Sequence, residues 1–559
     1  MASKYQSPGV YSKERDLSAI VPSLATSTAV LVGYSAKGSL AKQLITNAGQ
    51  FVEEYGEPIV GNYFHYSALA YLEQGNQLYC LRVTGVNRLY SGLNLVNAPA
   101  VEHNPFDRGQ SSPIYYDDSG LENQLISIFA KDPGIWGDKI RITVTEVKAG
   151  DSEFDDTDKY TFKINVWYTD EEGNTAKVET HHVSRQTKID GFGRQLYLEN
   201  RINGYSKYIL VADNTAVANT VVPIASDSDT ILGSTIADGG SDGDAITASD
   251  IAGTPAENTG WYAFQSAEEI TVRILIDSGY TVSQSAADVA IIHQAMAAVA
   301  LLRLDCFCVF SVPMEEDGTI VDMLTYRATT LAGDAVNTSY AALYAAAVKI
   351  NDSYNDVVIS IPASGYVAAQ IAYTDYSRDV WYAPAGYDTG TLNVLGADLV
   401  FNEGERDILY ANQINPIQVF RGYGTVIWGQ KTLQKKQSAL SSINIRRMVS
   451  MVQTNIIQLL RSFVFELNNE ITRFIVTSTI QDYMERLRAG GAFTTSPTDD
   501  GYLVICNEQN NTSEVIDSNE MHVDIFIKPV HAAEFIQLQT TITKTGVSFE
   551  ELISRGVLF

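Results

Sequence analysis

Apolar residues in this chain come in short runs between polar turns, and the character of the runs changes along its length. Residues 4–18 are mostly polar and charged, are broken by Pro8 and Gly9, and offer little to a core. A first strand follows in "TSTAVLVGYSAKG", and "NQLYCLRVTG" (76–85) repeats that plan, with a short helix "SALAYLEQG" before it. "NAPAVEHNPFDRGQSSP" (97–113) reads as a linker. Residues 121–215 then form a β-rich block in which "QLISIFA", "KIRITVTEV", "KYTFKINVWYT" and "KVETHHV" alternate or run apolar, with turns such as "DEEGN" between them.

From Trp261 the pattern becomes that of an α/β domain. "ITVRILID", "LDCFCVFSVP" and "NDVVISIP" read as strands, and "ADVAIIHQAMAAVALLR" and "ASGYVAAQIAYTD" as helices. "SYAALYAAAVKI" stays ambiguous: its alanines favour a helix, and its flanks and length allow a strand. Two strong helices follow. The first runs from about Ile445 to Phe463, with Met448, Val452, Ile456, Leu459 and Phe463 on one face. The second opens at Asn468–Glu470, with Phe474, Ile475, Tyr483, Met484 and Leu487 as its apolar positions. The C-terminal part is a sheet, with "GYLVICNE", "MHVDIFIKPV" and "EFIQLQTTIT" as strands. "GVSFEELISRGVLF" is a second terminal arm with apolar residues fit for pairing.

At 559 residues the chain should hold several domains. Its charge of −27 argues against a nucleic-acid partner, because phosphate binding needs clustered Lys and Arg. Locally the charge is uneven. Residues 150–179 carry nine acidic side chains against three lysines, which is most simply a solvated outer face. Residues 431–489 reverse the sign, with nine basic against four acidic side chains. The four cysteines lie in strand-like runs with no CxxC, so buried free thiols are expected. The N-terminus has neither the plan of a secretion signal nor a myristoylation sequence. The most apolar window contains His293, Gln294, Arg303 and Asp305 and fails as a membrane span, so a soluble, non-secreted protein is expected.

The sequence gives no positive reason to propose an enzyme. The GxG of "FRGYGTVIWG" lacks the phosphate-loop spacing and reads as a turn. His181 and His182 are neighbours on a strand and point to opposite faces, so they cannot easily share a metal. "DGGSDGD" (238–244) clusters oxygen ligands, but its spacing matches neither the EF-hand nor a glycine-rich nonapeptide repeat. Accordingly no catalytic residue, cofactor or metal is assigned. The informative features are the two terminal arms and the C-terminal sheet with room at its edges, because an extended arm gains stability by adding to a sheet edge.

Several segments in order carry a resemblance: "SPGV", "TAVLVGYSAKG", "LITNAGQFVEEYGEP", "LYCLRV", "KDPGIWGDKI", "DGFGRQLYLENRING", "NTSYAALY", "SGYVAA", "YAPAG", "INPI", "NIRRM", "FELNNEITR", "CNEQNN" and "IFIKP". The chain resembles the contractile-tail sheath proteins of myophages over nearly its whole length, most weakly at 95–120 and 215–255. The resemblance implies an α+β multidomain fold. A discontinuous α/β sheath core, 26–92 with 255–545, would carry a C-terminal helix-pair-plus-sheet domain at about 430–545. A β-rich peripheral region (93–254) would be inserted in it, with arms at 1–25 and 546–559. It also implies that "NTSYAALY" is a strand.

The function so implied is that of a structural subunit. It would polymerise as six-membered rings around a tail tube protein and contract to drive the tube through the host envelope. Baseplate and tail terminator proteins would be further partners, with no nucleic acid and no membrane insertion. Assembly would take place in the host cytoplasm, and the product would be the virion tail. The intersubunit arms would contain Ser7, Pro8, Gly9, Val10 and Tyr11, and Val547, Phe549, Leu552, Val557 and Phe559. The resemblance places the C-terminal domain against the tube. Arg446, Arg447, Arg461 and Arg473 are then expected either to grip an acidic tube surface or to pair with Glu466, Glu470 and Glu485 within the domain. A bacteriocin or cellular injection system is the alternative machine. A carbohydrate-binding or hydrolytic tail-associated protein, acting through the acidic insertion, is the alternative class.

Overall fold

The structure, a computed structural model, describes residues 27–96, 124–150, 158–170, 173–225, 230–231, 240–277, 285–314, 318–331 and 336–538. Its centre is a nine-stranded sheet built from two distant parts of the chain. The first part supplies β1 (Ala29–Tyr34), β2 (Gln43–Ile45) and β3 (Leu78–Val83). The second supplies β11 (Ile274–Ile276), β12 (Phe307–Ser311), β13 (Ala341–Ala345), β16 (Thr391–Leu392), β18 (Ile414–Phe420) and β19 (Gly424–Ile427). The order is β16-β19-β18-β13-β12-β11-β1-β3-β2. The six strands from β18 to β3 pair in parallel, and β2, β19 and β16 add in the antiparallel sense at the two ends.

Both faces of this sheet are covered, so its strands read as continuous apolar runs. Side chains alternate between two cores. Val30, Val32, Leu275, Cys308, Phe310 and Leu343 face one, with α4 (Ala248–Ala252) and α5 (Ala286–Arg303). Ala29, Leu31, Ile274, Val309 and Tyr344 face the other, with α1 (Ala48–Tyr55), α2 (Tyr63–Leu72) and α7 (Ser364–Ser377). Helix α5 is long and apolar enough to cross a membrane, but Val289, Met296 and Val299 are fully buried against the sheet. Helix α7 lies close on α2, where a Cβ on Gly365 would sit 2.7 Å from the Ser67 carbonyl oxygen. Ile246, Ala248 and Ile251 already belong to the first core, so the core resumes several residues before the expected position 255.

The ambiguous "SYAALYAAAVKI" forms two strands, β13 and β14 (Val348–Asp352). Tertiary context overrides the alanines' helix propensity, because β13 is bonded on both sides and buried throughout. "NDVVISIP" becomes β15 (Val357–Ile361), which pairs with β14 and, through it, β17 (Gly396–Ala397), in a small separate sheet. The glycines of "FRGYGTVIWG" make the hairpin turn between β18 and β19, with Gly422 and Gly424 at φ 87° and 82°. Short helices α6 (Ile320–Thr325) and α8 (Gly386–Thr389) and the longer α9 (Glu403–Ala411) complete this part.

The insertion has its own core. A three-stranded sheet of β4 (Gly92–Val96), β5 (Gln124–Ala130) and β9 (Ile209–Asp213) packs with a four-stranded one. The latter holds β6 (Ile140–Lys148), β7 (Thr161–Thr169), β8 (Thr175–Ser184) and β10 (Thr230–Ile231). Ile126, Ile128, Trp136, Phe162, Ile164 and, from α3, Leu198 are among the buried residues they share, and α3 spans Leu198–Ile202. Arg82 of β3 joins the insertion to the central sheet. Its side chain is fully buried and donates to the carbonyls of Ser35, Ala36, Gly38 and Pro133 and to Asp242 Oδ1 at 3.1 Å. Asp242, from the acidic turn, therefore serves an ion pair within the fold.

Candidate functional site

The C-terminal module begins as a continuation of the core. Helix α10 (Ile443–Arg461) starts with Ile443 in the second core and ends in a separate cluster with α11 (Glu470–Ala489). Met448, Val452, Ile456 and Leu459 meet Val476, Ile480, Tyr483, Met484 and Leu487, the i, i+4 stripes expected of two facing amphipathic helices. Asn469 caps α11 by accepting from Thr472 N at 2.9 Å. Phe474, expected on the apolar face, is 72% exposed. Val464, Phe465, Leu467 and Ile471, around the turn between the helices, are exposed as well.

On this helix pair lies a ribbon of two strands, β20 (Tyr502–Ile505) and β21 (Asp524–Ile527), antiparallel with Tyr502 opposite Ile527. Among the described residues neither strand has a second strand neighbour. Val504, Tyr502, Ile525 and Ile527 pack on the helices, whereas Leu503 and Phe526, opposite one another, are more than half exposed. The loop after β20, which leads into α12 (Ser513–Asp517), is braced by its asparagines. Asn510 Nδ2 donates to the Ile505 and His522 carbonyls, and Asn511, 2% exposed, bonds His522 in both directions. A groove of about 750 Å³ runs between α10, one side of β21 and the Arg303–Asp305 corner.

The four arginines fare differently from either expectation. Arg447 is buried and makes a bidentate pair with Asp375 of α7 at 2.7 and 2.5 Å. Arg446 is buried over the Tyr340 ring at 4.3 Å and donates to Ser450 Oγ. Arg473 is buried and donates to Asn468 Oδ1 at 2.9 Å. None of the three is available to an outside surface, and none pairs with Glu466, Glu470 or Glu485 in the described bonds. Arg461 alone of the four stays half exposed, 3.1 Å from Glu268. The arm residues Ser7, Pro8, Gly9, Val10, Tyr11, Val547, Phe549, Leu552, Val557 and Phe559 lie outside the described residues.

One polar constellation went unseen in the sequence. Asp277, His293 and Tyr326 are fully buried, with His293 Nε2 2.9 Å from Asp277 Oδ2 and Tyr326 Oη 2.8 Å from His293 Nδ1. Phe310 stacks on the imidazole at 4.1 Å. The order matches a charge relay, but no member is exposed to a substrate, and the group cross-links β11, α5 and the residues after α6. Burial also pushes the Cys306 thiol up to about 12, and all four cysteines are buried and free. Among the described residues no group of three or more His, Cys, Asp or Glu side chains could hold a metal.

The fold therefore defines a class: a discontinuous, doubly covered sheet carrying a β-rich insertion and a C-terminal module of two helices with a two-stranded ribbon. The family models for the phage tail sheath protein central domain and the phage tail sheath C-terminal domain match residues 244–433 and 435–543. The tail sheath protein of Enterobacteria phage T4 is 31% identical over 307 residues, 52% of this chain and 45% of that protein. That of Vibrio phage KVP40 is 35% identical over 222 residues, 39% of this chain and 32% of that protein. The matched chain thus spans less than half the length of these curated relatives. A sheath tail protein from Listeria innocua has the same fold, with TM-score 0.55, 13% identity, and coverage of 90% of this chain and 96% of that one. So does the helical sheath of the anti-feeding prophage in its contracted state, with TM-score 0.52, 16% identity, and coverage of 96% and 99%. The chain belongs to the phage tail sheath family.

Proposed function

We propose that this chain is a structural subunit of a contractile phage tail sheath, polymerising around a tail tube and shortening to drive it through the host envelope. The observation that carries this reading is the two-stranded ribbon β20–β21, unpaired at both edges among the described residues. A ribbon of that size is marginal by itself, and its free N–H and C=O groups suit a strand from outside. Terminal arms from neighbouring copies supply that strand, through the segments containing Ser7–Tyr11 and Val547–Phe559. Repeated head-to-tail addition of this kind propagates into rings and helices rather than closed dimers. Six-membered rings are the stacking unit. Arms that stay paired while the rigid domains repack would hold the lattice together as it shortens. The tube protein, a baseplate and a terminator are the partners this role requires, and the role includes no catalytic step.

Negative-stain electron microscopy of the purified full chain, over a range of concentration and salt, tests the reading. Striated tubules are expected, and deletion of residues 1–18 should abolish them. Monomers under every condition, with and without purified tail tube, would overturn it.

A further inference from the structure

After β21 the chain leaves the C-terminal module and returns to the core. Its last backbone bond to the module is Val530 N to Ala492 O at 3.1 Å. Residues 531–538 then run without regular secondary structure, and all are exposed. Within that stretch, and among the described residues, Glu534 is the one hydrogen-bonded member. Its Oε2 accepts from Tyr410 Oη at 2.7 Å and its Oε1 from Gln430 Nε2 at 2.9 Å. Both donors are firmly held. Tyr410 belongs to α9, which is closed by an Asn402–Glu405 capping box and rooted by the fully buried Leu409. Gln430 is 4% exposed and follows β19 at the end of the central sheet. The Lys431 ammonium lies 4.0 Å over the Tyr410 ring and donates to that residue's carbonyl, which fixes the phenol further. Hydrogen bonds to an ionised carboxylate are the strong kind.

Directly beyond Glu534 the chain presents Phe535, Ile536 and Leu538, each more than four-fifths exposed. Ala532, Ala533 and Phe535 also wall a cleft of about 420 Å³ against α9 and Trp428. A terminal segment that must find an edge on another molecule does so more effectively when its starting point and direction are set in advance, because less freedom is lost on pairing.

We propose that Glu534 is the positioning residue that anchors the C-terminal arm to its own subunit, fixing the point and direction from which the arm departs. The Tyr410–Gln430 pair is its receptor. The assembly part of this proposal rests on the sheath reading; the anchoring itself is a property of the single chain.

The test uses the full-length protein with nitroxide labels at I408C on α9 and L538C in the segment that leads to the arm, since the native cysteines are buried. Distance distributions are read by double electron–electron resonance on monomer. One narrow peak is expected for the labelled parent. Glu534→Ala should abolish it, and so should Tyr410→Phe combined with Gln430→Met, with melting points unchanged. A broad distribution in the parent, or an unchanged narrow peak in Glu534→Ala, would overturn the anchor. In microscopy, Glu534→Ala tubules should lose the parent's regular striation, and tubules of equal order would overturn its role in assembly. Failure of the unmutated chain to form tubules would count against the sheath reading instead, and the monomer distances would still judge the anchor.

Discussion

The central sheet and the C-terminal ribbon are built from similar strands, yet among the described residues only the inner strands of the sheet are bonded on both sides. In the centre, β1, β11, β12 and β13 each have a strand on both sides, and alternate side chains enter two closed cores. In the ribbon each strand has one neighbour among the described residues, one face rests on α10 and α11, and the other carries exposed Leu503 and Phe526. The first arrangement satisfies backbone and side chains within the subunit. The second leaves strand edges unpaired among the described residues, where an added strand could complete them. If the ribbon takes up a strand from a neighbouring copy, as proposed above, perturbing each region should move a different measurement.

The largest effect is expected where the two regions are tied together. Arg447 reaches from α10 to Asp375 on α7, and both side chains are nearly inaccessible. Arg447→Ala takes the bidentate partner from a buried carboxylate, which should cost about 3–5 kcal/mol. Urea unfolding followed by circular dichroism reads the loss. The joint replacement Arg447→Met with Asp375→Leu should recover most of it, since a buried pair can be exchanged for apolar packing with little net change. If the single variant unfolds at the parent's midpoint, the pair does not tie the module to the core.

A somewhat smaller effect belongs to the core alone and depends on pH. His65 lies on α2, packed against the Phe51 and Phe64 rings. Its Nε2 is 3.2 Å from the Tyr55 carbonyl, which can only accept, so Nε2 carries the proton and Nδ1 is left unpaired. Burial holds its pKa down at about 4, against 6.5 in an open chain. Between those values the unfolded chain binds a proton that the folded one refuses. The His65 contribution is therefore complete above pH 6.5 and falls by roughly 3 kcal/mol as the pH drops to about 4. Asp132 opposes it. Burial and the nearby Glu54 raise its pKa from 3.8 to about 6, so acidification through that window favours the folded state. His65→Gln should remove the His65 contribution, giving a variant whose stability relative to the parent improves steadily from pH 7 to pH 4. Parallel pH profiles for the two proteins would remove His65 from the account.

Most of the closed region was legible in the sequence, because its strands and helices are local patterns. The insertion's strands follow the alternating runs, and the two C-terminal helices begin and end within about two residues of the expected positions. Where reading failed, the deciding partner was far away in the chain. Ala341–Ala345 is a strand because β12 and β18 bond it from both sides. "NDVVISIP" is a strand as expected, and its partner is the adjacent β14 in a separate small sheet. The excess of basic residues at 431–489 said nothing of Tyr340 or Asp375, which take Arg446 and Arg447 out of solvent from 106 and 72 positions upstream. Asp242 was one more acid in a flexible turn until Arg82 met it, 160 residues away. In the C-terminal sheet, "GYLVICNE" and "MHVDIFIKPV" supply the two strands, whereas "EFIQLQTTIT", expected as a further strand, runs without regular secondary structure over Glu534–Leu538.

Arg461 gives the smallest expected effect and the sharpest separation of the two regions. Its pair with Glu268 is exposed on both sides, so Arg461→Glu should change subunit stability by less than about 1 kcal/mol. It is also the one arginine of the expected four that an acidic tube could still reach. If it contributes to tube binding, charge reversal should weaken co-sedimentation of the sheath with purified tube at low salt, and the difference from the parent should shrink as salt screens the contact. Weakened binding with an unchanged melting point would place an assembly contact on a residue that the fold itself hardly needs. Unchanged binding at every salt concentration would leave none of the four arginines for the tube.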